Sequence, residues 1–546
     1  MAINNPAGNA DDGIIYFPTD TYPAVTIRED GNDDSSEAGA AVRRLIRRLN
    51  ARRPMLEEWA RYYDGHQPLA FASDRFREAF GMRFGADRGR VFGSNFMALV
   101  VDATRERLEV QGFRFEDEDG DDDLWDIWQA NDMDGWSAVA HTEALKKGVV
   151  YALVEPAADD EGFERITIED PCHTIVELDP RTRRRVNGLK RWYDDEGHMV
   201  VVLYTPDWVY KYRSDKPLAA SVTSGPDYVF TSSAGTNNAY VLEPMQVDGE
   251  DWPLRNPAGV VPLVPLVNRP DINGNGRSEI DPVMSNQDAI NKYRADALVA
   301  AEFAAFRQRW ATGLDIPEDP DTGQPIEPFK SAVDRLWVVP PPDPDDPVER
   351  PDTKFGEFEA TDLEPYRSMI EEEVGHVASI SRTPYHYLIG QPTSVPPSGE
   401  SLKSSEAGLV RKVHTIAVFF GEGWEETMRV CLRMRDDPRA DLRTAETLWA
   451  DPETRNDAST ADSVQKLHSE GVIDDEEAWR MLGFSPSTVK RLRKRKQAAE
   501  AEAAAAEAEE ARRAADAAAT VPPEAPFASG APRGAAGGGA PTPPSA

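Results

Sequence analysis

Cysteines and long apolar runs are both scarce in this 546-residue sequence, whose only cysteines are Cys172 and Cys431. Two cysteines exclude a disulfide-bonded scaffold and a cysteine-rich zinc site. The apolar run at 260–267 is short and is interrupted by two prolines, whereas a membrane helix requires about 18 apolar residues. The opening residues also lack the basic and apolar regions of a signal peptide. We therefore expect a protein that is made in the cytoplasm and has no membrane partner.

Positive charge is in short supply, because 61 Lys and Arg residues face 96 Asp and Glu residues for a net charge of −35. Proteins whose affinity depends on neutralising phosphates usually carry a basic surplus. The balance therefore argues against a repressor, a histone-like protein or a polymerase. Forty per cent hydrophobic residues and 12 tryptophans nevertheless suffice for sizeable hydrophobic cores.

Recognisable catalytic and cofactor motifs are absent. The sequence contains no Gly-x-x-x-x-Gly-Lys-Ser/Thr phosphate loop, no Gly-x-Ser-x-Gly elbow and no His-Glu-x-x-His motif. Residues 271–276 match the first half of a calcium loop, but its twelfth position is Pro282, which supplies no carboxylate. We therefore predict no catalytic residue, no metal site, no cofactor and no enzymatic activity. A metal-dependent hydrolase stays the alternative, because acidic residues occur throughout the chain.

Hydrophobic periodicity predicts an α+β fold that is mainly α-helical. Residues 1–37 are polar and acidic and are expected to be flexible. Helices are predicted at 38–50, 55–64, 92–108 and 125–147, with a solvated loop at 116–123, where seven of eight residues are acidic. From 148 to 212 the period changes to two, which indicates strands at 149–154, 165–168 and 174–178 and a hairpin of 198–204 with 208–213.

The second half of the sequence is organised around three long helices, predicted at 285–312, 362–381 and 400–434. A proline- and aspartate-rich insertion at 313–361, with one strand at 335–339, separates the first two. Small helices follow within 456–496. Residues 497–519 are helical by propensity, and the low-complexity residues 521–546 are expected to be disordered.

Two groups of polar residues stand out in this half. The predicted helix 362–381 has an apolar stripe at Leu363, Tyr366, Ile370, Val374 and Val377, and its other face carries Arg367, Ser368, Glu371, Glu372 and Ser379. A basic run at 490–496 offers phosphate contacts at Lys490, Arg491, Arg493 and Lys494. The alternative for this run is a solvated helix end.

Several short segments resemble the signatures of one protein family, in the same order. They are Leu56–His66, Ser94–Asp102, Glu106–Phe113, Gly259–Asn268, Gly276–Ile280, Gln287–Asn291, Pro397–Ser401 and Ser469–Ile473. The family is that of the tailed-bacteriophage portal, or head-to-tail connector, proteins. The resemblance is to the branch common in long-tailed phages of Gram-positive hosts, and it covers residues 55–490. Another structural protein of the phage head is a further alternative.

The resemblance implies a non-enzymatic ring, typically of twelve copies, at one vertex of the capsid of the virion. Double-stranded DNA would be its cargo, pumped inward by the terminase and later released toward the tail. The other partners implied are the major capsid protein, the scaffold, the terminase large subunit and the head–tail adaptor. The subunit would be made in the host cytoplasm.

The resemblance also implies a division of the chain. The wing would span 38–284, the two stem helices 285–312 and 362–381, and the clip 313–361. A tunnel loop at 382–399 would lead into 400–455, which returns to the wing, and the crown would be 456–496. The polar face of the helix 362–381 would line the channel together with the loop residues Gln391, Thr393, Ser394 and Ser398. Residues 391–398 include no basic side chain, so that this loop would touch DNA sterically or by hydrogen bonds.

Overall fold

The computed structural model describes residues 25–519 except for 30–31, 34–35, 68, 72, 74–93, 116–120, 158–161, 218–239, 248, 250, 306–308, 313–353, 360–361, 391–398, 454–456 and 485. About half of the described residues are helical and the rest include four β-sheets. The chain divides into two compact units, Met1–Asp457 and Ala458–Ala546. The predicted α+β class is thus observed. The calls on 1–24, on the strand 335–339 and on 521–546 lie outside the described residues.

The first unit begins with two short strands and a long helix, followed by alternating helices and strands. Its first elements are β1 (Val25–Glu29), β2 (Asn32–Asp33), α1 (Glu37–Tyr63), α2 (Phe96–Arg105), β3 (Val110–Phe115), α3 (Asp122–Ala130) and α4 (Met133–Lys147). The strands that follow are β4 (Val149–Glu155), β5 (Arg165–Glu169), β6 (Thr174–Leu178), β7 (Arg185–Tyr193), β8 (Met199–Tyr204), β9 (Trp208–Ser214), β10 (Tyr240–Pro244), β11 (Leu254–Arg255) and β12 (Leu263–Val267).

Long helices dominate the remainder of the first unit, and three helices form the second. The former comprises α5 (Met284–Ala305), β13 (Arg309–Thr312), β14 (Lys354–Glu357), α6 (Glu364–Ser381), α7 (Tyr385–Leu388), α8 (Gly399–Met434) and β15 (Ala445–Trp449). The second unit contains α9 (Asp457–Ser469), α10 (Asp475–Met481) and α11 (Pro486–Ala519).

The largest sheet is buried on both faces. Its strand order is β2-β1-β10-β9-β8-β7-β6, with β11 paired to β9, and all pairs are antiparallel except β1 with β10. In β8, Val201 and Leu203 pack toward α1, whereas Val202 and Tyr204 pack toward the small sheet β12-β4-β5. This two-sided burial explains why β8 is apolar without interruption. Gly188 lets the two sheets approach, since a Cβ there would lie 2.8 Å from Val261.

Helix α1 is continuous, and the prediction of two helices separated before Pro54 is wrong. Pro54 lies inside the helix, although proline removes one backbone hydrogen bond. The buried positions Leu49 and Leu56 are seven residues apart and therefore lie on one face. Packing of this face against the sheet and the helical core keeps the helix unbroken across the proline.

Several other predicted boundaries also need correction. The segment 1–37 is not flexible throughout, because β1 forms a parallel pair with β10 and buries Ile27. The helix predicted at 285–312 ends at Ala305, and residues 309–312 form β13, which pairs with β14. The helix predicted at 125–147 is divided by Asp132, whose φ of 52° is left-handed. Strand β7 was missed, whereas the hairpin of β8 and β9 is confirmed.

The predicted solvated loop at 116–123 ends in an anchored residue. Asp121 is buried, and its carboxylate accepts a hydrogen bond from the Leu124 amide at 3.1 Å, which caps α3. Arg439 lies 2.7 Å from the same carboxylate. One member of the acidic run is therefore buried rather than solvated, because it caps a helix N-terminus and pairs with an arginine.

The main core is built around α8 and contains an aromatic cluster. His141 of α4 stacks on Phe420 with ring centroids 5.2 Å apart, and the Trp424 indole donates to His141 Nε2 at 2.9 Å. Burial lowers the pKa of His141 to about 3. The imidazole is consequently neutral and structural.

We expect acid to destabilise the first unit partly through His141. Below about pH 6.5 the unfolded chain takes up a proton that folded His141 refuses, which costs about 1.4 kcal/mol per pH unit. In urea unfolding followed by tryptophan fluorescence, the free energy of unfolding of His141→Gln should fall less steeply between pH 6 and pH 4. The difference in slope should be about 1.4 kcal/mol per pH unit, which corresponds to one proton. The matched control is His414→Gln, at an exposed position of α8, the helix that packs on His141. Equal slopes in both variants would contradict a neutral buried imidazole.

Candidate channel site and its anchorage

The two long helices α5 and α6 pack side by side and carry paired strands beyond their ends. Asn286 of α5 donates to Glu373 of α6 at 2.8 Å. Strands β13 and β14 pair in antiparallel register where the insertion 313–353 leaves and re-enters the chain. The helix–insertion–helix plan predicted from the sequence is therefore observed, with the strand pair at the base of the insertion.

The exposed face of α6 includes the polar residues that the sequence singled out. Arg367, Ser368, Glu372 and Ser379 are exposed, and Glu371 is half-buried. Arg367 donates to both Glu364 and Glu371, and these bonds raise the pKa of Arg367 and lower that of Glu364. Arg367 thus neutralises only part of the acidic charge on this face.

The apolar side of α6 is narrower than predicted. Val374 and Val377 are fully buried, whereas Tyr366 and Ile370 are half-buried and Leu363 is exposed. A second apolar flank was missed: Met369 is 44% exposed and Ile380 is 50% exposed. They are eleven residues apart, which corresponds to about three helical turns and hence to one side of the helix. This spacing in the sequence could have revealed the second apolar flank.

The predicted loop residues Gln391, Thr393, Ser394 and Ser398 lie outside the described residues, but both flanks of the loop are described. The Tyr387 hydroxyl donates to Glu406 at 3.0 Å. Arg107 follows α2 and donates to that hydroxyl at 2.8 Å and to Glu406 at 3.0 Å. One arginine therefore holds the residues on either side of the loop, and sequence reasoning did not find this cluster.

A buried ion pair joins the start of the helical hairpin to α8. The side chains of Lys412 and Glu279 are each 2% exposed, and their charged atoms lie 3.4 Å apart. Lys412 also donates to the Ser381 carbonyl at 2.8 Å, at the end of α6. Arg269 lies 2.5 Å from the same glutamate. Burial lowers the pKa of Lys412, and Glu279 opposes this shift.

The chain segment that leads to Glu279 depends on a close contact between two glycines. Gly276 lies three residues before Glu279 and packs on Gly148, the residue that ends α4 with a φ of 80°. A Cβ on Gly276 would lie 1.8 Å from the Gly148 carbonyl oxygen. No other residue fits, because the Cβ would overlap the neighbouring backbone.

A chain of buried amide side chains ties α5 to the ends of α1 and α2. Gln287 accepts from the Phe96 amide at 2.9 Å and donates to Asn291 at 3.1 Å. Asn291 donates to Gln67 at 2.7 Å, and Gln67 donates to Asn95 at 3.1 Å. Each buried amide thereby finds hydrogen-bond partners, as burial in a core requires.

The basic residues predicted as phosphate contacts divide into two groups. Lys490, Arg491 and Lys494 are exposed on α11. Arg493 forms an ion pair with Glu476 of α10 and is half-buried. Its guanidinium therefore also contributes to the packing of α10 against α11.

Within the described ranges, no group of three or more His, Cys, Asp or Glu residues is arranged to hold a metal ion. Asp271 accepts hydrogen bonds from the amides of Asn273 and Asn275 at 2.8 and 2.9 Å, which makes 271–276 a structural turn. The helices of the described residues include none long and apolar enough to cross a membrane.

The comparison with known proteins decides the family. The model of a family described as "Phage portal protein, SPP1 Gp6-like" matches residues 42–514. The chain belongs to the phage portal family. Portal proteins are structural and non-enzymatic, and this portal subunit is a virion component. The resemblance drawn from the ordered segments is confirmed.

Portal proteins of two mycobacteriophages are similar along most of the chain. The protein of Mycobacterium phage D29 is 28% identical over 447 residues, which cover 78% of this chain and 83% of the relative. The protein of Mycobacterium phage L5 is 28% identical over 453 residues, covering 79% of this chain and 83% of the relative.

Solved structures of gene transfer agent (GTA) particles show a more distant likeness. A chain from "Neck of native GTA particle computed with C12 symmetry" is 12% identical, with a TM-score of 0.39, and the match covers 71% of this chain and 88% of that one. A chain from "Virion of native gene transfer agent (GTA) particle" is also 12% identical, with a TM-score of 0.40, covering 77% and 95%.

Four of the segments that carry the portal resemblance meet at the start of the helical hairpin. Trp59 donates to Asp281 at 3.1 Å and Tyr62 donates to Asp288 at 2.8 Å, which joins the first signature to the segment around α5. Asn268, the last residue of another signature, donates to Glu279 at 2.8 Å. These four signatures of the portal chain therefore contribute to one junction between helices.

We expect Glu279→Gln to destabilise the portal subunit by about 3–5 kcal/mol, because Lys412 then stays buried without its carboxylate. Adding Lys412→Met should restore at least about 1 kcal/mol, since the double variant no longer buries an uncompensated ammonium. Chemical denaturation measures both changes.

The matched control is Glu446→Gln, which removes one partner of the exposed Arg114–Glu446 pair. Surface pairs contribute less than about 1 kcal/mol. If the Glu279 variant were no less stable than this control, or if Lys412→Met lowered its stability further, the buried pair would not have the role assigned to it.

Proposed function

We propose that copies of this chain assemble into a ring whose channel is lined by the polar face of α6 and through which double-stranded DNA enters and leaves the capsid. Twelve is the copy number that the family resemblance implies. The observation that carries the proposal is the division of α6 into three sides. One side packs on the rest of the chain, one is exposed and polar, and one exposes Met369 and Ile380.

These three sides fit a helix in a ring. The apolar flank at Met369 and Ile380 suits a neighbouring copy, because burying exposed apolar surface favours association. The polar face at Arg367, Ser368, Glu371, Glu372 and Ser379 then faces the axis. The loop residues Gln391, Thr393, Ser394 and Ser398 belong to the same proposed lining, since Tyr387 and Glu406 hold the flanks of that loop.

The charge of α6 favours a channel in which DNA slides over one that binds DNA tightly. Each phosphate that a protein neutralises adds salt-dependent affinity, so a strongly basic channel would retain its cargo. On α6, Arg367 is engaged by two glutamates, and Glu372 is exposed on the same helix. With −35 per chain, a ring of twelve carries about −420, and we place much of this charge in solvent and along the channel.

The remaining divisions of the chain take the roles that the family resemblance implies. Residues 38–284 form the wing, to which 400–455 return, and residues 313–361 form the clip. We assign the clip to docking of the terminase and later of the head–tail adaptor, because it leaves the hairpin at its far end. The major capsid protein and the scaffold are assigned to the wing. The second unit forms the crown, and α11 continues past the predicted limit at 496 without a break.

We expect the purified chain, under assembly conditions, to form a closed ring. Twelve copies of 60.4 kDa correspond to about 725 kDa in native mass spectrometry. Met369→Asp with Ile380→Asp should shift the population toward monomer, because two charges would be buried at each interface. Met55→Asp with Phe71→Asp, at two exposed apolar positions of another region, is the control. A persistent monomer of the unsubstituted chain would contradict the proposal.

Reversing the charge of the channel face should slow DNA passage. We expect Glu371→Lys with Glu372→Lys to reduce the rate of packaging into empty capsids, since added cations bind passing phosphates. The effect should diminish as the salt concentration rises. The control is Asp195→Lys with Glu196→Lys, an adjacent exposed pair in the turn between β7 and β8. Unchanged packaging with an intact ring would show that this face of α6 does not line the channel.

A further inference from the structure

Exposed arginines accompany an exposed isoleucine where two turns of the first unit meet. One turn joins β6 to β7, and the other spans 271–276, after β12. Ile272 of the second turn is 86% exposed, which is the largest exposure of an apolar side chain among the described residues. We call this isoleucine and the exposed arginines of the first turn the basic knob, which comprises Ile272, Arg181, Arg183 and Arg184.

Contacts between the two turns make the basic knob one surface. The Arg183 guanidinium donates to the Ile272 carbonyl at 2.5 Å. Gly274 lies against the same arginine, since a Cβ there would be 3.6 Å from its Nη1 atom. Within the second turn, Asp271 accepts hydrogen bonds from two backbone amides. The arginines and the isoleucine are therefore presented together on a preformed backbone.

The charge of the basic knob is not compensated by the described part of its own chain. Arg185, the first residue of β7, pairs with Glu426 at 2.7 Å and so serves the fold. In the described ranges, Arg181, Arg183 and Arg184 have no carboxylate at ion-pair distance. Three outward cations in a chain of net charge −35 form a local positive potential that a partner of opposite charge can use.

The exposed isoleucine indicates what kind of partner fits. An apolar side chain gains free energy only when a partner removes it from water. Phosphate groups attract arginines but offer an isoleucine no apolar surface. Protein interfaces combine arginine with apolar contacts at their centre and polar groups at their rim. The basic knob therefore fits an acidic protein surface that has an apolar centre.

A surface of that kind lies at the start of α4. Trp136 is 53% exposed and Val139 is 45% exposed, and at 100° per residue their positions are only about 60° apart around the helix. Asp132 and Asp134 are exposed beside them. Asp134 accepts hydrogen bonds from the neutral donors Trp128 and Gln129, which leave its negative charge in place. We call Asp132, Asp134, Trp136 and Val139 the acidic patch.

The basic knob and the acidic patch lie at opposite ends of α4. Before the helix, Asn131 accepts from the Ile166 amide at the start of β5. After the helix, the Gly148 carbonyl accepts from the Asn268 amide at 2.9 Å, and Gly148 packs on Gly276 at the end of the knob's second turn. The 15 residues of α4 are about 22 Å long. The two complementary surfaces of one chain are thus held apart by a helix.

We propose that the basic knob of one portal subunit docks on the acidic patch of the next subunit. A contact between two different surfaces repeats from copy to copy and closes into a ring when the rotation allows it. Opposite charges set the direction of approach, and Ile272 and Trp136 lose their contact with water. The inference rests on the proposed function, because it requires copies in a ring. It adds a second contact to the flank at Met369 and Ile380.

The test uses two full-length chains, each with one of the two surfaces reversed in charge. The knob-reversed chain carries Arg181→Glu with Arg184→Glu and keeps the contact of Arg183 with the Ile272 carbonyl. The patch-reversed chain carries Trp136→Lys with Val139→Lys. Circular dichroism checks that each chain is folded.

The matched controls make the same kinds of change at exposed positions elsewhere. Arg512→Glu with Arg513→Glu reverses two exposed arginines of α11. Met55→Lys with Phe71→Lys replaces two exposed apolar side chains of the first unit. Both controls should assemble like the unsubstituted chain.

Each reversed chain alone should need at least about tenfold more protein for half-maximal ring formation in native mass spectrometry, because like charges meet at every contact. An equal mixture of the two should assemble like the unsubstituted chain. When the two chains alternate, every knob meets a patch of opposite charge. A ring of twelve would then contain six copies of each chain, and a chain that had merely failed to fold would not be rescued by mixing.

The proposal is overturned if a reversed chain alone assembles as readily as the controls, or if the mixture forms no more rings than its components. A knob-reversed chain that assembles normally but binds a labelled random-sequence duplex more weakly would identify phosphate as the partner, which also overturns it. If the unsubstituted chain forms no ring, the proposed function fails. If Met369→Asp with Ile380→Asp prevents rings while both reversals leave them intact, only the knob contact is refuted.

Discussion

The buried ion pair of Lys412 and Glu279 is the contact on which the rest of the first unit depends. An ammonium and a carboxylate removed from water are stable only if geometry and further hydrogen bonds compensate the lost hydration. Here the compensation comes from the Ser381 carbonyl, Arg269 and Asn268. Ser381 is the last residue of α6, Asn268 and Arg269 directly follow β12, and Glu279 itself lies in the segment before α5. Because each must be in place at once, the pair fixes where the helical hairpin leaves the sheets.

The amide chain beside this pair performs a related task by different chemistry. Gln287 and Asn291 use neutral hydrogen bonds to join α5 to the ends of α1 and α2. Buried polar groups penalise any arrangement that leaves them unpaired. Apolar packing alone tolerates small slips of one helix along another, whereas this network does not. The hairpin is thereby held to one angle and one depth, which a ring of identical copies requires if their channel faces are to match.

Sequence reasoning was successful where one period dominated, and it failed where tertiary contacts overrode a local signal. The strands β4 to β6, β8 and β9 followed from a period of two, and the helices α6 and α8 from one of 3.6. Pro54 indicated a helix start, yet packing on both sides kept α1 whole. Alanines near 300–305 and Trp310 read as one helix, although residues 309–312 pair with β14 across 41 intervening residues.

The candidate site was predictable only in part for the same reason. The polar face of α6 follows from its spacing along one helix. The ion pair of Lys412 and Glu279 joins residues 133 positions apart, and no periodicity reports such a contact. The ordered signature segments identified the family, but they did not show which contacts their residues make in the fold. In the folded chain Trp59, Tyr62, Asn268 and Gln287 prove to be partners of one junction.

The parallel pairing of β1 with β10 bears on how subunits avoid one another before they assemble. The strand order places β1 over the outer side of β10, with the two-residue β2 beyond it. An uncovered edge strand offers unpaired amide and carbonyl groups to any other sheet. A chain shortened to begin at α1 would expose β10 in this way and would lose Ile27 from beneath α1. The N-terminal segment therefore occupies an edge of β10 that would otherwise offer its backbone amide and carbonyl groups to a second sheet.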